Sequence, residues 1–564
     1  MDKTEANRAR LYHNLASPAV LFSLFVLALF LRMGSLDWGL PFRLHPDEWK
    51  YVSGGANCHR GHWNPKYFRN PPGFSYLNAL WQPVWLKIHT PVEVPEWLGI
   101  DPMWLKPREN VEAAFLYRPF DLVLGGRMLS AVMGAMTCIA VFFLVRTRLP
   151  DLYALGAALW TAVSFANVRE SHFAVNDAAA ACLVSWAAVA GLRAYRNGRL
   201  RWTIFAAALG GASVAFKYNM FPLILALMGL WGLRFWTSQK EMRRAKRFGR
   251  ILRDTALIGF VSLLCFLLIC PFPIIDAPAF FMEIGKLQTA AAKPWQGQDA
   301  RWSGVQLAET IWISEGRLVA LFALAGLFFT FRRRYWEFAI FPILYVLLVT
   351  SHPLFFVRFS LPLLPWIALW GATAVYELSL RCRRRAIIAG ILASSIFLLG
   401  AVEPLLKDLR SNYLLKQTDS RIEFLHWLRT ERSEKALMAL DQFSVPLVYR
   451  SVADFWTAPL DPRIIYIDSL PSDQLDQLNT LNNPVAWIAV SDFVTLPGYL
   501  PDSYEERREA LCAFAGNDEP VKIFQPFANQ WHPGRLDAED AYSPFRNLWN
   551  RRQPGAVIEI FAKT

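Results

Sequence analysis

Before residue 404 the sequence is cut into eleven apolar runs, near 16–34, 123–145, 152–168, 177–195, 202–217, 220–236, 255–272, 317–331, 335–350, 360–379 and 386–403. A helix crosses a bilayer with about 17–25 predominantly apolar residues. Runs of this length and number point to a polytopic membrane protein. The gaps between them give an independent check. With the N-terminus inside, the short loops near 146–151, 193–201, 234–254, 332–337 and 381–385 all fall on one side. Together with Lys3, Arg8 and Arg10 they hold twenty-four lysines and arginines against six acids. That one-sided bias is the positive-inside pattern. It accounts for the location of much of the basic charge behind the net +13 without a nucleic-acid partner. The first run is too long for a signal h-region and lacks a small-residue cleavage site, so it reads as an uncleaved helix.

The opposite side receives the long segments 35–122, 273–316 and the tail from 404. The stretch 70–90 is apolar but broken by Trp and Pro, and reads as a helix lying at the membrane surface. Read as a span, it would invert every later loop. The tail alternates candidate strands (436–440, 464–468, 485–490, 522–524, 557–562) with helical patterns at 421–431 and 505–515, which predicts a small α/β domain. The expected architecture is an α-helical polytopic membrane protein of about eleven transmembrane helices. Residues 1–403, with outer loop 35–122, form the membrane domain, and 404–564 a soluble α/β domain outside. Seven cysteines are scattered, several in apolar runs, where buried free thiols are expected. Cys58, His59 and His62 have no second half-site and do not make a zinc motif.

Ionisable residues at the outer face are where chemistry is expected. His45-Pro46-Asp47-Glu48 follows the first span. Proline then two acids is also how a helix begins. The chemical reading makes Asp47 a carboxylate above the membrane, able to take a proton from a hydroxyl. Glu170, His172 and Asp177 share one membrane boundary, where an ionisable group is a functional candidate or, for Asp177, a helix cap. Lys217 and Arg358 are cations on the outer side, against the general bias. Snorkelling explains them structurally, and grip on a phosphate explains them chemically.

Several of these segments resemble a family. Gly39-Leu40-Pro41-Phe42-Arg43-Leu44-His45-Pro46-Asp47-Glu48, Asn64-Pro65-Lys66-Tyr67-Phe68 and Asn70-Pro71-Pro72-Gly73-Phe74 resemble the first outer loop of bacterial GT-C glycosyltransferases, the protein O-mannosyltransferase-like enzymes. Gly126-Arg127-Met128-Leu129-Ser130, Ser171-His172-Phe173 with Asp177, Phe216-Lys217-Tyr218-Asn219 and Arg358-Phe359-Ser360-Leu361-Pro362-Leu363-Leu364-Pro365 resemble later segments in order, with Phe359 in place of a usual tyrosine. The resemblance runs from about residue 32 to 370, and more weakly through 419–428. It implies a plasma-membrane enzyme whose sugar donor is carried on a polyprenyl phosphate. The acceptor, a glycan, lipid or protein, attacks on the outer face with inversion. It implies Asp47 as base, Glu48 positioning acceptor or metal, Asp177 as a second carboxylate, and Lys217 and Arg358 on the donor phosphate. His45 and His172 are further site candidates. No cofactor is certain, and a divalent metal between Asp47 and Asp177 is left open. The rival reading is a transporter or lipid flippase. Transporters place their sites at the midplane, often between internal repeats, whereas here the polar residues gather at one face. An inactive scaffold whose tail binds a partner is a third reading.

Overall fold

The computed structural model describes residues 15–98, 106–238, 244–294, 301–382, 386–430, 437–440, 447–448, 464–466, 485–491, 504–528 and 538–563. The chain is mostly helical. Among the described residues six helices are long and apolar enough to cross a membrane, at Pro119–Val145, Asn176–Asn197, Tyr218–Phe235, Phe248–Ile269, Val357–Leu380 and Ala386–Thr430, and shorter apolar helices lie at Pro18–Met33, Leu200–Phe216 and Trp336–Thr350. At 1.5 Å per residue, the 27-residue Pro119–Val145 helix is roughly 40 Å long.

Small residues set how closely the helices approach. A Cβ on Gly211 would lie 2.1 Å from the Ser262 carbonyl oxygen, and one on Gly326 1.6 Å from that of Trp370. Backbones meet at these crossings with no side chain between them, the usual way helices pack in lipid. The run 152–168 is not one helix. Asp151–Ala162 ends at Val163, and Phe165–Glu170 starts anew. The break is seated by side chains: the Ser164 hydroxyl donates to Glu315 Oε1 at 2.6 Å, and Ala166 N–H donates to Ser314 Oγ at 2.9 Å.

Loops assigned to one side meet at one end of the bundle. Arg148 pairs with Glu337, and Arg234 donates to the Tyr195 carbonyl. At the other end, loop 35–122 folds into helices Glu48–His59, Gly73–Ile88 and Val111–Tyr117. The Gly73–Ile88 helix buries Phe74, Asn78, Trp85 and Leu86 and exposes Leu80, Val84 and Ile88. Those three recur every four residues and form one outward apolar stripe, as a helix lying at a lipid surface requires. Lys66 and Asn64 both donate to Asp276 at 2.7 Å, tying the loop to the segment after residue 272.

Helix Ala386–Leu415 runs unbroken across position 403/404, where sequence divides the two domains. Beyond it, five strands form a mixed sheet in the order Ile464–Tyr466, Leu437–Leu440, Val485–Ser491, Ile558–Ala562, Lys522–Phe524. The first two pairings are parallel and the last two antiparallel. Helix Tyr504–Ala515 covers one face through Leu511, Cys512 and Ala515. A separate two-stranded ladder pairs Phe42 with Val448 and Arg43 with Leu447. It ties the tail to the first outer loop just before His45.

Candidate active site

Asp47 stands immediately before helix Glu48–His59, but its side chain makes no capping bond. Its Oδ1 accepts from Lys50 Nζ at 2.8 Å, and its Oδ2 from Arg358 Nη1 at 3.0 Å. Burial raises this carboxyl, and the Lys50 and Arg358 cations outweigh burial and hold it well below the usual carboxylate range. His45 fixes the turn. Its Nδ1 accepts Asp47 N–H at 3.1 Å, so the ring is neutral with its proton on Nε2. Burial takes its pKa down to about 4, against the partial pull of Glu48 and Asp47.

Glu48 has a different role from the one sequence suggested. It is buried, and both its oxygens face the Arg127 guanidinium, at 2.7 and 2.8 Å. Its Oε1 also accepts Ala174 N–H at 2.9 Å, and Arg127 Nη1 donates to the carbonyls of Leu36 and Trp38, each at 2.7 Å. Glu48 therefore locks loop 35–122 to the Pro119–Val145 helix, with both oxygens engaged by Arg127. A Cβ on Gly126 would strike Ala174 at 2.8 Å, so this position must be small for the lock to close. His172 is likewise a fastener: Nδ1 contacts Val168 O at 2.8 Å, and Nε2 contacts Gly34 O and Asn412 Oδ1 at 2.7 and 2.8 Å.

Asp177 sits in the first turn of helix Asn176–Asn197, whose N-terminus is Val175. It forms an ion pair with Lys217 instead of capping. The extended backbone at Lys217, which ends helix Leu200–Phe216, carries its ammonium there. The departure at Phe359 has a consequence: the Lys217 ammonium lies 4.8 Å from the centre of the Phe359 ring, a cation–π contact in place of a hydroxyl. Asn176 Nδ2 donates to Phe216 O at 2.6 Å and holds the two helix ends together.

These pairs form one constellation. Arg358 interacts electrostatically with both Asp47 and Asp177, and Lys217 with Asp177 and Arg358. Tyr51 lies within range of both carboxylates; burial and their charges raise its phenol well above the usual value, so it stays protonated. Arg358, Lys217 and Asp47 are each partly open to solvent, at 15%, 14% and 26% side-chain exposure. Besides Asp47, Arg358 rests on the Phe356 ring at 4.4 Å. Its other N–H groups have no acceptor among the described residues.

Sequence brought Asp47, Asp177, Lys217 and Arg358 to one face. It missed Lys50, which the spacing to Asp47 on one helix face would have revealed, and Tyr51, Glu539 and Tyr542, whose separations gave no signal; Arg127 stood in a resembling segment but was given no role. A divalent metal between Asp47 and Asp177 would have to displace the cations that now hold them. Both oxygens of Asp47 accept from cations, three cations already face two carboxylates, and among the described residues no group of three His, Cys, Asp or Glu is placed to hold a metal ion.

The fold has known counterparts. It is similar to the Archaeoglobus fulgidus oligosaccharyltransferase in its apo form, with a TM-score of 0.51 at 11% identity over 87% of this chain and 72% of that one. Residues 121–271 match the family model for dolichyl-phosphate-mannose-protein mannosyltransferase. The fold is therefore similar to that of this oligosaccharyltransferase. ArnT from Cupriavidus metallidurans in the apo state aligns with a TM-score of 0.47 at 13% identity, over 83% of this chain and 92% of that one. No curated protein sequence matches the chain significantly. The matched stretch contains Arg127, Asp177 and Lys217, while Asp47 and Arg358 lie outside it and are joined to it by the ion pairs above.

Proposed function

We propose that the chain is a multi-pass membrane glycosyltransferase. It moves a sugar from a polyprenyl-phosphate donor to an acceptor hydroxyl, with inversion, on the extracytoplasmic face of the plasma membrane. About eleven spans, an inside N-terminus and an extracytoplasmic tail belong to this reading. The observation that carries it is the Asp47–Arg358 pair. Residues 311 positions apart meet at 3.0 Å, both partly open to solvent, and the guanidinium has further donors with no acceptor among the described residues. Neither helix capping nor snorkelling calls for that arrangement. The family match and the named donors of related enzymes agree with the donor class. The Pmt1-Pmt2 complex of S. cerevisiae, for instance, is described as bound to the sugar donor.

The chemistry is a single displacement. The acceptor oxygen forms its bond to the anomeric carbon as the bond from that carbon to the phosphate oxygen breaks. The electron pair leaves with the phosphate, where Arg358 and Lys217 meet the growing charge. The hydroxyl proton passes to Asp47. In the resting site Asp47 is a weak base, because two cations stabilise its anion. Once the donor phosphate takes over Arg358, that stabilisation falls and Asp47 becomes more basic. Donor binding thus prepares the base before the acceptor arrives. Asp177 keeps Lys217 charged and in place. No step runs through a metal. A transporter reading gains nothing here, since the charges gather at one end of the bundle. The test is to incubate the purified protein with a panel of polyprenyl-phosphate sugars and measure prenyl phosphate release. No release with any donor and a range of acceptors would overturn the reading.

A further inference from the structure

The C-terminal region touches the site through one buried segment. The Tyr542 ring lies edge-on to His45 at 4.4 Å and to Phe173 at 5.8 Å, and Phe545 stacks on Phe165 at 5.3 Å. Between them Arg169, itself buried and paired with Glu170, donates to the Ser543 carbonyl from Nε at 3.0 Å and Nη2 at 2.7 Å. Its Nη2 also reaches the Glu539 carbonyl at 3.0 Å. Asp540 closes the segment on itself by accepting Phe545 N–H at 2.8 Å. This leaves the Glu539 side chain. It is buried, and its Oε2 accepts the N–H of Val357 at 2.9 Å. Val357 opens the tight turn Val357–Leu363, whose second residue is Arg358. The Glu539 carboxylate and the Arg358 guanidinium also attract each other.

A buried carboxylate is costly unless its charge and lone pairs are used. Here they hold the backbone beside a cation that is partly open to solvent. We propose that Glu539 is a positioning residue for the donor phosphate: it fixes the Val357–Arg358 turn so that the guanidinium faces Asp47 and stays open to the donor. The C-terminal region is then a working part of the donor site, connected through Arg169, the Glu539 main chain, the Glu539 carboxylate and the Val357 amide. This inference rests on reading Arg358 as the phosphate ligand.

The test uses the full chain in detergent, with undecaprenyl phosphate as probe, tryptophan fluorescence for affinity and thermal melting as a separate control. Glu539→Ala is expected to bind about tenfold more weakly, the usual effect of removing a hydrogen bond to a charged group. Glu539→Gln keeps an oxygen for Val357 N–H and should stay near the parent. Glu539→Asp keeps the charge but withdraws the acceptor by one methylene, and should be weaker than Gln. That ranking decides the matter even where the alanine variant does not fold. Arg358→Ala reports on the underlying reading. With both changes together, affinity should fall no further than with Arg358→Ala alone. If Arg358→Ala leaves affinity unchanged, the phosphate reading itself fails. If Arg358→Ala weakens binding while Asp and Gln at 539 bind alike, or the alanine variant melts earlier with affinity intact, Glu539 is a structural anchor and this proposal is overturned.

Discussion

Replacing Asp47 by asparagine separates chemistry from structure at this site. The side chain keeps its size and loses its charge and its capacity to take a proton. The structure sets both expected magnitudes. Its two ion pairs, at 2.8 and 3.0 Å, are partly exposed, so each contributes about 1 kcal/mol or less to stability, and the variant should fold and insert. Helix Glu48–His59 has no side-chain cap from Asp47, so asparagine has no capping role to preserve. Losing a general base costs about 10²–10⁴-fold in turnover. A second effect has the opposite sign. With Asp47 neutral, Arg358 has no anion to give up when the phosphate arrives, so affinity for a polyprenyl phosphate should rise several-fold while transfer collapses. The assay pairs prenyl phosphate release with equilibrium binding of the sugar-free lipid. Near-parental turnover at equal folded amounts would remove Asp47 as base. Weaker lipid binding would refute the competition between carboxylate and phosphate for Arg358.

Glu48→Gln should act on stability instead: one side of a buried bidentate pair is lost, a class of change worth about 3–5 kcal/mol, seen as poor yield and an early melt. Turnover lost in a variant that melts normally would return Glu48 to the chemistry. Arg358→Lys keeps the charge but not the planar fork. It should raise the KM for the lipid donor, and combining it with Lys217→Ala should give a non-additive loss; additive losses with unchanged donor kinetics would leave both as anchors. Glu315 gives a pH test. It is buried, accepts from two serine hydroxyls, and burial pushes its pKa up to about 7. The folded state thus holds a proton that the unfolded state, near 4.5, releases. Stability is full below about 4.5, falls as pH rises toward 7, and ends about 3 kcal/mol lower. Glu315→Gln should abolish that loss, so its melting point relative to the parent should climb from pH 5 to 8. A constant offset would show that Glu315 does not hold the proton.

The apolar runs made the helices legible because length and hydropathy are local properties. The strand segments were legible for the same reason: apolar stretches near 485–490 and 557–562 coincide with central strands of the tail sheet. Helix ends were harder. The break at Val163 depends on Ser314 and Glu315, about 150 residues away, and no window over 152–168 contains that information. At the site, charge at the outer boundary was enough to single out Asp47, Asp177, Lys217 and Arg358, since an ionisable group there needs a reason. Partner choice was not legible. Glu48 and Asp47 are neighbours of the same chemistry, yet one is consumed by Arg127 and the other is partly open to solvent. Side-chain direction at the start of one helix decides between them. Glu539 lay hidden for a different reason: its partner is a backbone amide, which carries no residue-specific signal.

The unbroken helix Ala386–Leu415 bears on how this protein can be divided. Its 30 residues are roughly 45 Å long, and its far end holds the end of the Pro18–Met33 helix. Asn412 Nδ2 donates to the Leu31 carbonyl at 3.0 Å, Ser35 donates to the Asn412 carbonyl at 3.0 Å, and Arg410 donates to the carbonyls of Leu548 and Arg551. One helical stretch thus clasps the outer end of the first helix and the last segment of the tail together. Cutting the gene at codon 403 would strip the first helix of its clasp and leave Leu414 and Leu415 without a core. Pro404 lies within this helix, so any bending between tail and bundle would centre on that position.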